Sequence, residues 1–555
     1  VSKDRRFEST SVGRSFSPPG GSSTGGVWKD AVFLESSFCI GWRQRVLVAD
    51  CEAVLADDMK NFLLLLVSLG FLIFGSISAT AERPPNIVFI MADDLGWNEL
   101  GCYGQSKIKT PRIDQLAREG MRFTNAYSGN AVCAPSRCVL MTGKHPGTAA
   151  VRNNRSMLSQ GEPEGQHPIP ASEVTIAEAL APAGYVSGAF GKWGLGNTTS
   201  TGSPDKQGFT RFFGYNCQGV AHSYWPETLW SDLKKVKLNN QPPVPGHANL
   251  PKGSDPKDPA SYEVFKGQDY APDRINAQAL EFVRKHQDKP FFLYYPTIIP
   301  HVALHVPDEE MEPYLALGWN DPPFTKEGQP GYTPHFTPRA AYAAMITRMD
   351  TYMGRVFDLL DELELRSNTI VVFTSDNGAT YLPEVDYEFF DSVGALRGMK
   401  GSLYEGGIRV PLIVRWPGKV AAGTTSDFRT GLEDWLPTLV DLVDADLDVP
   451  KGVNGVSLAA TLLGKAQPER EFLYREFPAY GGQQAVWMGK WKGIRQDMLS
   501  KKNPNPLKTE LYDLSADISE STDVATEFPD VVKKIEVFMS REHVPSSDFK
   551  FPAID

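Results

Sequence analysis

Six cysteines in 555 residues are too few for a disulfide framework, and no C-x-x-C pair offers a structural zinc site. Cys39 and Cys51 fall in an N-terminal stretch expected to be absent from the mature protein, which leaves Cys102, Cys133, Cys138 and Cys217. Positive charge is also short. Fifty-six Lys and Arg against 67 Asp and Glu leave a net charge of −11, which argues against a nucleic-acid partner. A polyanion can be held only where basic residues cluster locally. The apolar run from Phe62 to Ile77 is short of the roughly 20 residues that a membrane span needs. Internal repeats are absent.

What is present is ordinary for a globular protein: 41% hydrophobic and 22% charged residues. The length suits two or three domains, or one large α/β domain with a smaller partner. Residues 1–58 are rich in Ser, Gly and charge and read as a disordered or wrongly included extension. Met59-Lys60-Asn61, the apolar run and Ala79-Thr80-Ala81 read as a signal peptide over 59–81 with Met59 as the initiator. The expectation is export, periplasmic or extracellular. The alternative is a membrane anchor with a cytoplasmic tail, and the catalytic part is exported in either case.

From Pro85 onward, short apolar runs alternate with helical patterns. Strands are expected at Asn86–Met91, Phe291–Tyr295, Ile370–Thr374 and Leu412–Val414, with helices at Ile113–Glu119, Thr175–Ala183, Arg274–His286 and Ala340–Leu363. This implies an α/β fold with a mostly parallel sheet flanked by helices, and a ligand site at the carboxyl ends of the strands. The Pro/Gly-rich stretches Asn239–Pro259 and Pro307–Pro338 read as long loops. Past residue 465 come short strands at 472–477, 485–488 and 491–495, then Glu510-Leu511-Tyr512-Asp513-Leu514 and a helix at Pro529–Met539. The expected division is a catalytic domain over 82–465 and an α+β subdomain over 466–555.

Two strand ends carry acidic motifs. Asp93-Asp94 follow the first strand, where adjacent carboxylates repel unless a cation joins them. Asp376-Asn377 follow the strand at 370–374. Together they form a hard all-oxygen donor set that suits Ca²⁺ or Mg²⁺ and not zinc. Between them in sequence lies Cys133-Ala134-Pro135-Ser136-Arg137, then Met141-Thr142-Gly143. Pro135 fits the first turn of a helix. Cys133 then faces free N–H groups that favour an anion, and Arg137 reaches back to it from one turn on.

The pattern C-x-P-S-R-x-x-x-x-T-G resembles the signature of type I, formylglycine-dependent sulfatases, of the arylsulfatase and N-acetylgalactosamine-6-sulfatase kind and bacterial in type. The resemblance runs from about Asn86 to Pro411, with weaker matches to Asp513. It implies an alkaline-phosphatase-like fold and oxidation of Cys133 to formylglycine by a maturation enzyme. It implies a metal, usually calcium, on Asp93, Asp94, Asp376 and Asn377, with residue 133 beside it. In such enzymes one hydroxyl of the aldehyde hydrate attacks sulfur, and the other loses its proton to expel sulfate. Gly191-Lys192-Trp193, Pro300-His301 and Leu396-Arg397-Gly398-Met399-Lys400 resemble segments that place Lys192 and Lys400 on the sulfate and make His301 the proton donor to the leaving group.

One position departs. Many sulfatases read G-K-W-H-x-G, and that histidine helps release sulfate; here the position holds Gly194. His222 is the candidate replacement. His145 sits at the far end of the helix beginning near Cys133, too distant at ~1.5 Å per residue. His305, four residues past His301, is expected to line the pocket. The expected substrates are sulfated carbohydrates or aryl sulfates, selected by the loops at 217–270 and 303–338. The rivals are a phosphonate or phosphate ester hydrolase of the same fold and a non-catalytic sulfoglycan-binding protein.

Overall fold

Every residue of Asn86–Ala92 is buried in strand β1, and the rest of the fold explains why a continuous apolar run is needed there. A computed structural model describes residues 83–157, 164–443 and 446–555. The expected extension and signal peptide lie outside the described residues. Among the described residues no helix is long and apolar enough to cross a membrane.

In chain order the further strands are β2 (Met121–Phe123), β3 (Ala126–Tyr127), β4 (Val186–Lys192), β5 (Arg211–Tyr215), β6 (Thr228–Ser231), β7 (Lys234–Lys237), β8 (Phe291–Pro296), β9 (Thr369–Ser375), β10 (Leu412–Arg415), β11 (Thr424–Ser426), β12 (Thr430–Gly431), β13 (Leu473–Phe477), β14 (Gln483–Met488), β15 (Trp491–Arg495) and β16 (Glu510–Asp513). Ten of the sixteen strands form one sheet in the order β11-β2-β10-β9-β1-β8-β4-β5-β6-β7. Its middle, β9-β1-β8-β4-β5, is wholly parallel. Antiparallel pairs lie outside that block, β10 with β9 and with β2 on one side, β5-β6-β7 on the other.

Alternation divides the core between the two faces. Val88 and Ile90 join Leu293, Tyr295, Val371 and Phe373 on one face, under the helices Ala271–Lys285 and Pro338–Glu362. Ile87, Phe89 and Met91 join Phe292, Tyr294, Ile370 and Val372 on the other, under Cys133–Thr142 and Trp435–Val443. Covering both faces removes the polar positions that a half-exposed strand would show. Each fully buried Val, Ile or Phe contributes roughly 1.5–3 kcal/mol relative to exposure.

The four strands expected in the main sheet are present, each one or two residues longer. Six further strands join them, and two differences from expectation are instructive. The stretch 307–338 contains a helix, Asp308–Leu315, with Pro313 inside it. And β4, Val186–Lys192, a central strand, has no apolar run to announce it because glycine occupies positions 188 and 191. Packing requires that composition: a Cβ on Gly191 would lie 1.9 Å from the Pro296 carbonyl oxygen, and one on Gly188 would press on Phe282.

The second sheet, β13-β14-β15-β16, is antiparallel and carries the helix Pro529–Arg541. It buttresses the segments that hold the site. Arg475 donates to the Ser128 carbonyl, Asn130 donates to the Glu476 carbonyl, and Gln483 bridges the Gly401 carbonyl and Leu403 N–H.

Candidate active site

Strand ends bring the polar motifs together. Asp93 and Asp94 follow β1, Asp376 and Asn377 follow β9, Lys192 closes β4, and His301 lies five residues beyond β8. The β1 and β9 ends are tied by Asp94 N–H donating to Asp376 Oδ1 at 3.2 Å. Asp94 has φ of +67°, a left-handed turn that Asp tolerates better than most residues.

Cys133 is the first residue of the helix Cys133–Thr142; the N-cap residue Val132 has no capping side chain, Ala134 N–H donates to Asn154 Oδ1 at 2.9 Å, and Gly143 closes the helix with φ of +67°. The Cys133 Sγ lies 3.4 Å from Asp93 Oδ1 and 3.5 Å from Lys192 Nζ. One turn on, Arg137 donates to Asp376 Oδ2 at 2.8 Å, to Asp93 Oδ2 at 3.3 Å and to the Lys192 carbonyl. Lys192 Nζ is 2.6 Å from Asp93 Oδ2, and Lys400 Nζ is 2.7 Å from Asp94. Lys400 is itself pinned, its N–H donating to Ala379 while Gly401 N–H donates to Ala131. Three carboxylates thus face three cations.

Burial works against every one of these charges, and the pairing decides which survive. It would raise Asp93, yet Lys192, His301 and Arg137 outweigh it and hold that carboxyl well below its usual range. For Asp94 burial, with Asp93 adding to it, wins over Lys400 and the group is raised. Asp376 is raised to about 6 by burial and by Asp93. Burial, reinforced by Asp93, pushes the Cys133 thiol up, so an unmodified Cys133 is a neutral thiol and a weak nucleophile. Burial and then Lys400 lower His301.

The donor set fits a hard cation. Ligand atoms of Asp93, Asp94, Cys133 and His301 all lie within 4.8 Å of one another. Asn377 donates from Nδ2 to Asp94 Oδ1 at 2.7 Å, which leaves its Oδ1 buried with no partner. A buried unpaired oxygen beside clustered carboxylates adds one more donor that could hold a metal ion. Sulfur at position 133 is out of character there, and an oxygen species at that position would complete it.

All ten candidate site residues meet in this region. His222 comes in from the 3₁₀ turn Val220–His222 and stacks on His301, ring centroids 4.9 Å apart and planes 5° apart. His145 is remote, bonded to Glu542 at 3.0 Å. His305 packs against Trp225 and Tyr224. Sequence reasoning passed over three neighbours. His247 is 3.0 Å from His222 through ring nitrogens, and Tyr332 packs against His222, His247 and His301. Gln218 lies against Gly194. A single loop histidine, tyrosine or glutamine carries no sequence signal of its own.

Comparisons with known proteins converge on one family. A family model described as Sulfatase matches residues 85–445, and one described as N-sulphoglucosamine sulphohydrolase, C-terminal, matches residues 398–543. The chain is 30% identical over 518 residues to an N-acetylgalactosamine-6-O-sulfatase of Bacteroides thetaiotaomicron, covering 82% of this chain and 92% of that protein. It is 34% identical over 435 residues to arylsulfatase A of Homo sapiens, covering 74% of each. Among solved structures it is similar to Ps i-CgsB, with a TM-score of 0.67 and 26% identity over 85% of this chain and 94% of that one; Ps i-CgsB is also known in complex with k-i-k-neocarrahexaose.

Proposed function

The chain belongs to the sulfatase family, and from that premise we propose that it removes sulfate from sulfated carbohydrates with residue 133, matured to formylglycine, as nucleophile. It is a sulfuric ester hydrolase. The observation that carries the finer reading is Cys133 at a helix N-terminus, 3.4 Å from Asp93 and 3.5 Å from Lys192, with Arg137 one turn away. A carbohydrate substrate is supported by the relatives: one acts on N-acetylgalactosamine 6-sulfate, as its name states, and Ps i-CgsB binds an oligosaccharide.

Asp93, Asp94, Asp376 and Asn377 would hold the metal, calcium or magnesium. That ion would supply positive charge to the sulfate oxygens and to the oxygen of residue 133. As a hydrate, residue 133 offers one hydroxyl to attack sulfur, its proton passing to an adjacent carboxylate as the bond from sulfur to the sugar oxygen breaks; deprotonation of the second hydroxyl then reforms the aldehyde and breaks the bond to sulfate. Lys192 and Lys400 bind the sulfate oxygens, and Arg137 orients residue 133. His301 is placed to donate the proton to the departing sugar oxygen, a role that needs the ring protonated against the burial and Lys400 that lower it. His222 takes the second proton. Burial, with His301 and Lys192 adding, lowers His222 well below 6.5, so it stands neutral and able to accept. Export through the segment 59–81 and maturation by a formylglycine-generating enzyme belong to the same proposal.

Rates on 4-nitrophenyl sulfate, N-acetylgalactosamine 6-sulfate and phenyl phosphonate test the substrate class. Sulfate release with the phosphonate turned over at least about 10²-fold more slowly is expected; the reverse order would make the chain a phosphonate hydrolase. His222→Ala is expected to lower kcat about 10²–10⁴-fold. It is also expected to remove the acidic limb of the kcat–pH profile, which His222 places below 6.5 because activity needs the neutral ring. Unchanged kcat and an unchanged profile in this variant would assign the second proton to another group.

A further inference from the structure

Gly194 leaves a gap, and the structure shows what fills it. The residue has φ of +78°, and a Cβ built there would stand 2.1 Å from Gln218 Nε2 and 3.8 Å from Arg137 Cδ. The Gln218 carboxamide therefore occupies the place of a side chain at 194, against the flank of Arg137. Two further facts give that contact chemical content. Gln218 is only 6% exposed, and neither its Oε1 nor its Nε2 has a partner. Arg137 is fully buried, and its Nε, bonded to the Cδ that faces Gly194, is the one guanidinium nitrogen without a partner. Its other two nitrogens serve Asp93, Asp376 and the Lys192 carbonyl. Buried amides and N–H groups are satisfied in nearly all folded proteins. The Gln218 atom at the gap is Nε2, but the oxygen and nitrogen of a carboxamide exchange places by a half-turn, and that turn brings the unpaired Oε1 to the side of the unpaired Arg137 Nε–H, where a bond can form directly or through one water.

We propose that Gln218 is the positioning residue for Arg137: its carboxamide, turned so that Oε1 in place of Nε2 faces the guanidinium, accepts from Arg137 Nε–H, directly or through a water, and so fixes the guanidinium beside residue 133. The backbone holds Gln218 there. Gly194 N–H donates to the Asn216 carbonyl at 3.1 Å, extending the β4–β5 pairing past both strands, and Gln218 N–H donates to Gln166 Oε1. The choice of an amide has a physical reason. A carboxylate at this point would draw positive charge from the guanidinium that must face an anion, and a histidine would make the contact change with pH. Glutamine supplies an acceptor without either effect. The sulfatase active site thus carries a non-titrating group at this position, and proton removal falls to a different segment.

This inference rests on the role given to Arg137 in the proposed mechanism. Its test uses the wild-type protein's turnover of 4-nitrophenyl sulfate or N-acetylgalactosamine 6-sulfate, with Cys133→Ala in parallel. Gln218→Met keeps length and volume but removes the acceptor. It is expected to lose about 10–100-fold in kcat, the scale of one hydrogen bond to a charged group, with a cooperative thermal transition lowered by only a few degrees. Gln218→Glu keeps an acceptor and adds a titration: its kcat is expected to exceed that of Gln218→Met and to show a new pH-dependent step. A Gln218→Met protein within twofold of wild type means that the side chain only fills space and overturns the inference. If Gln218→Met does not fold, the Gln218→Glu profile decides, and superposition on the wild-type profile overturns it. Activity persisting in Cys133→Ala would instead overturn the formylglycine mechanism and leave the Gln218 result standing as a separate measurement.

Discussion

Cys133→Ala is expected to abolish sulfate release, with a fall in kcat of at least about 10⁴-fold, the scale seen when a covalent nucleophile is removed. The rest of the site survives this change, since Lys192, Arg137 and Lys400 keep their carboxylate partners. Binding of sulfate should therefore persist while turnover stops. The wild-type thiol should be nearly as poor, because burial and Asp93 keep it protonated. Protein made without the maturation enzyme is accordingly expected to be inactive and to show an intact thiol at residue 133 by peptide mass spectrometry. Material from a competent host should show the aldehyde in its place. Cys133→Ser is expected to release about one equivalent of alcohol and then stall, because a serine sulfate has no second hydroxyl to expel its sulfate. Sulfate release at the wild-type rate from Cys133→Ala would refute the mechanism.

Asp93→Asn is expected to lower kcat about 10²–10³-fold or more, to empty the metal site and to destabilise the metal-free protein. Asp93 accepts from Lys192 at 2.6 Å and Arg137 at 3.3 Å while lying 3.4 Å from Cys133. Neutralising it leaves two buried cations short of a partner, and breaking a buried ion pair from one side typically costs about 3–5 kcal/mol. The sign with pH follows from its lowered value. The stability Asp93 lends is present above 3.8, its ordinary value, and is withdrawn as pH falls toward the folded-state value below it. The variant should therefore differ from wild type in melting temperature at neutral pH, and the gap should close in strong acid. Metal content by elemental analysis separates the two effects. Wild-type kcat and metal content in Asp93→Asn would remove this residue from the site.

The chemistry of the site was legible because each motif is local. Asp93-Asp94 and Asp376-Asn377 directly follow short apolar runs, and a run of that kind between turn signals reads as a buried strand. Once both are strand ends in a parallel sheet, their meeting at one edge follows from topology. Cys133 to Arg137 spans one helical turn, so its geometry is also settled within the segment. The lysines were another matter. Lys192 closes a strand whose glycines at 188 and 191 erase the apolar signal, and Lys400 lies in a loop, so only their matching segments singled them out.

What the sequence by itself determined, then, is the inventory: donor types, their order along the chain and their attachment to strand ends and one helix turn. Tertiary structure alone decided the pairings. Lys192 chose Asp93, Lys400 chose Asp94, and Arg137 spanned Asp93 and Asp376. His222 stacked on His301 across 79 residues of chain, and Gln218 moved into the gap at Gly194. The reason is physical. Pairing among buried charges and the filling of a gap depend on distances of a few ångströms between segments far apart in sequence, and no local pattern records those distances. Glycine at 194 could be read as a missing side chain, but only packing shows that the space was taken.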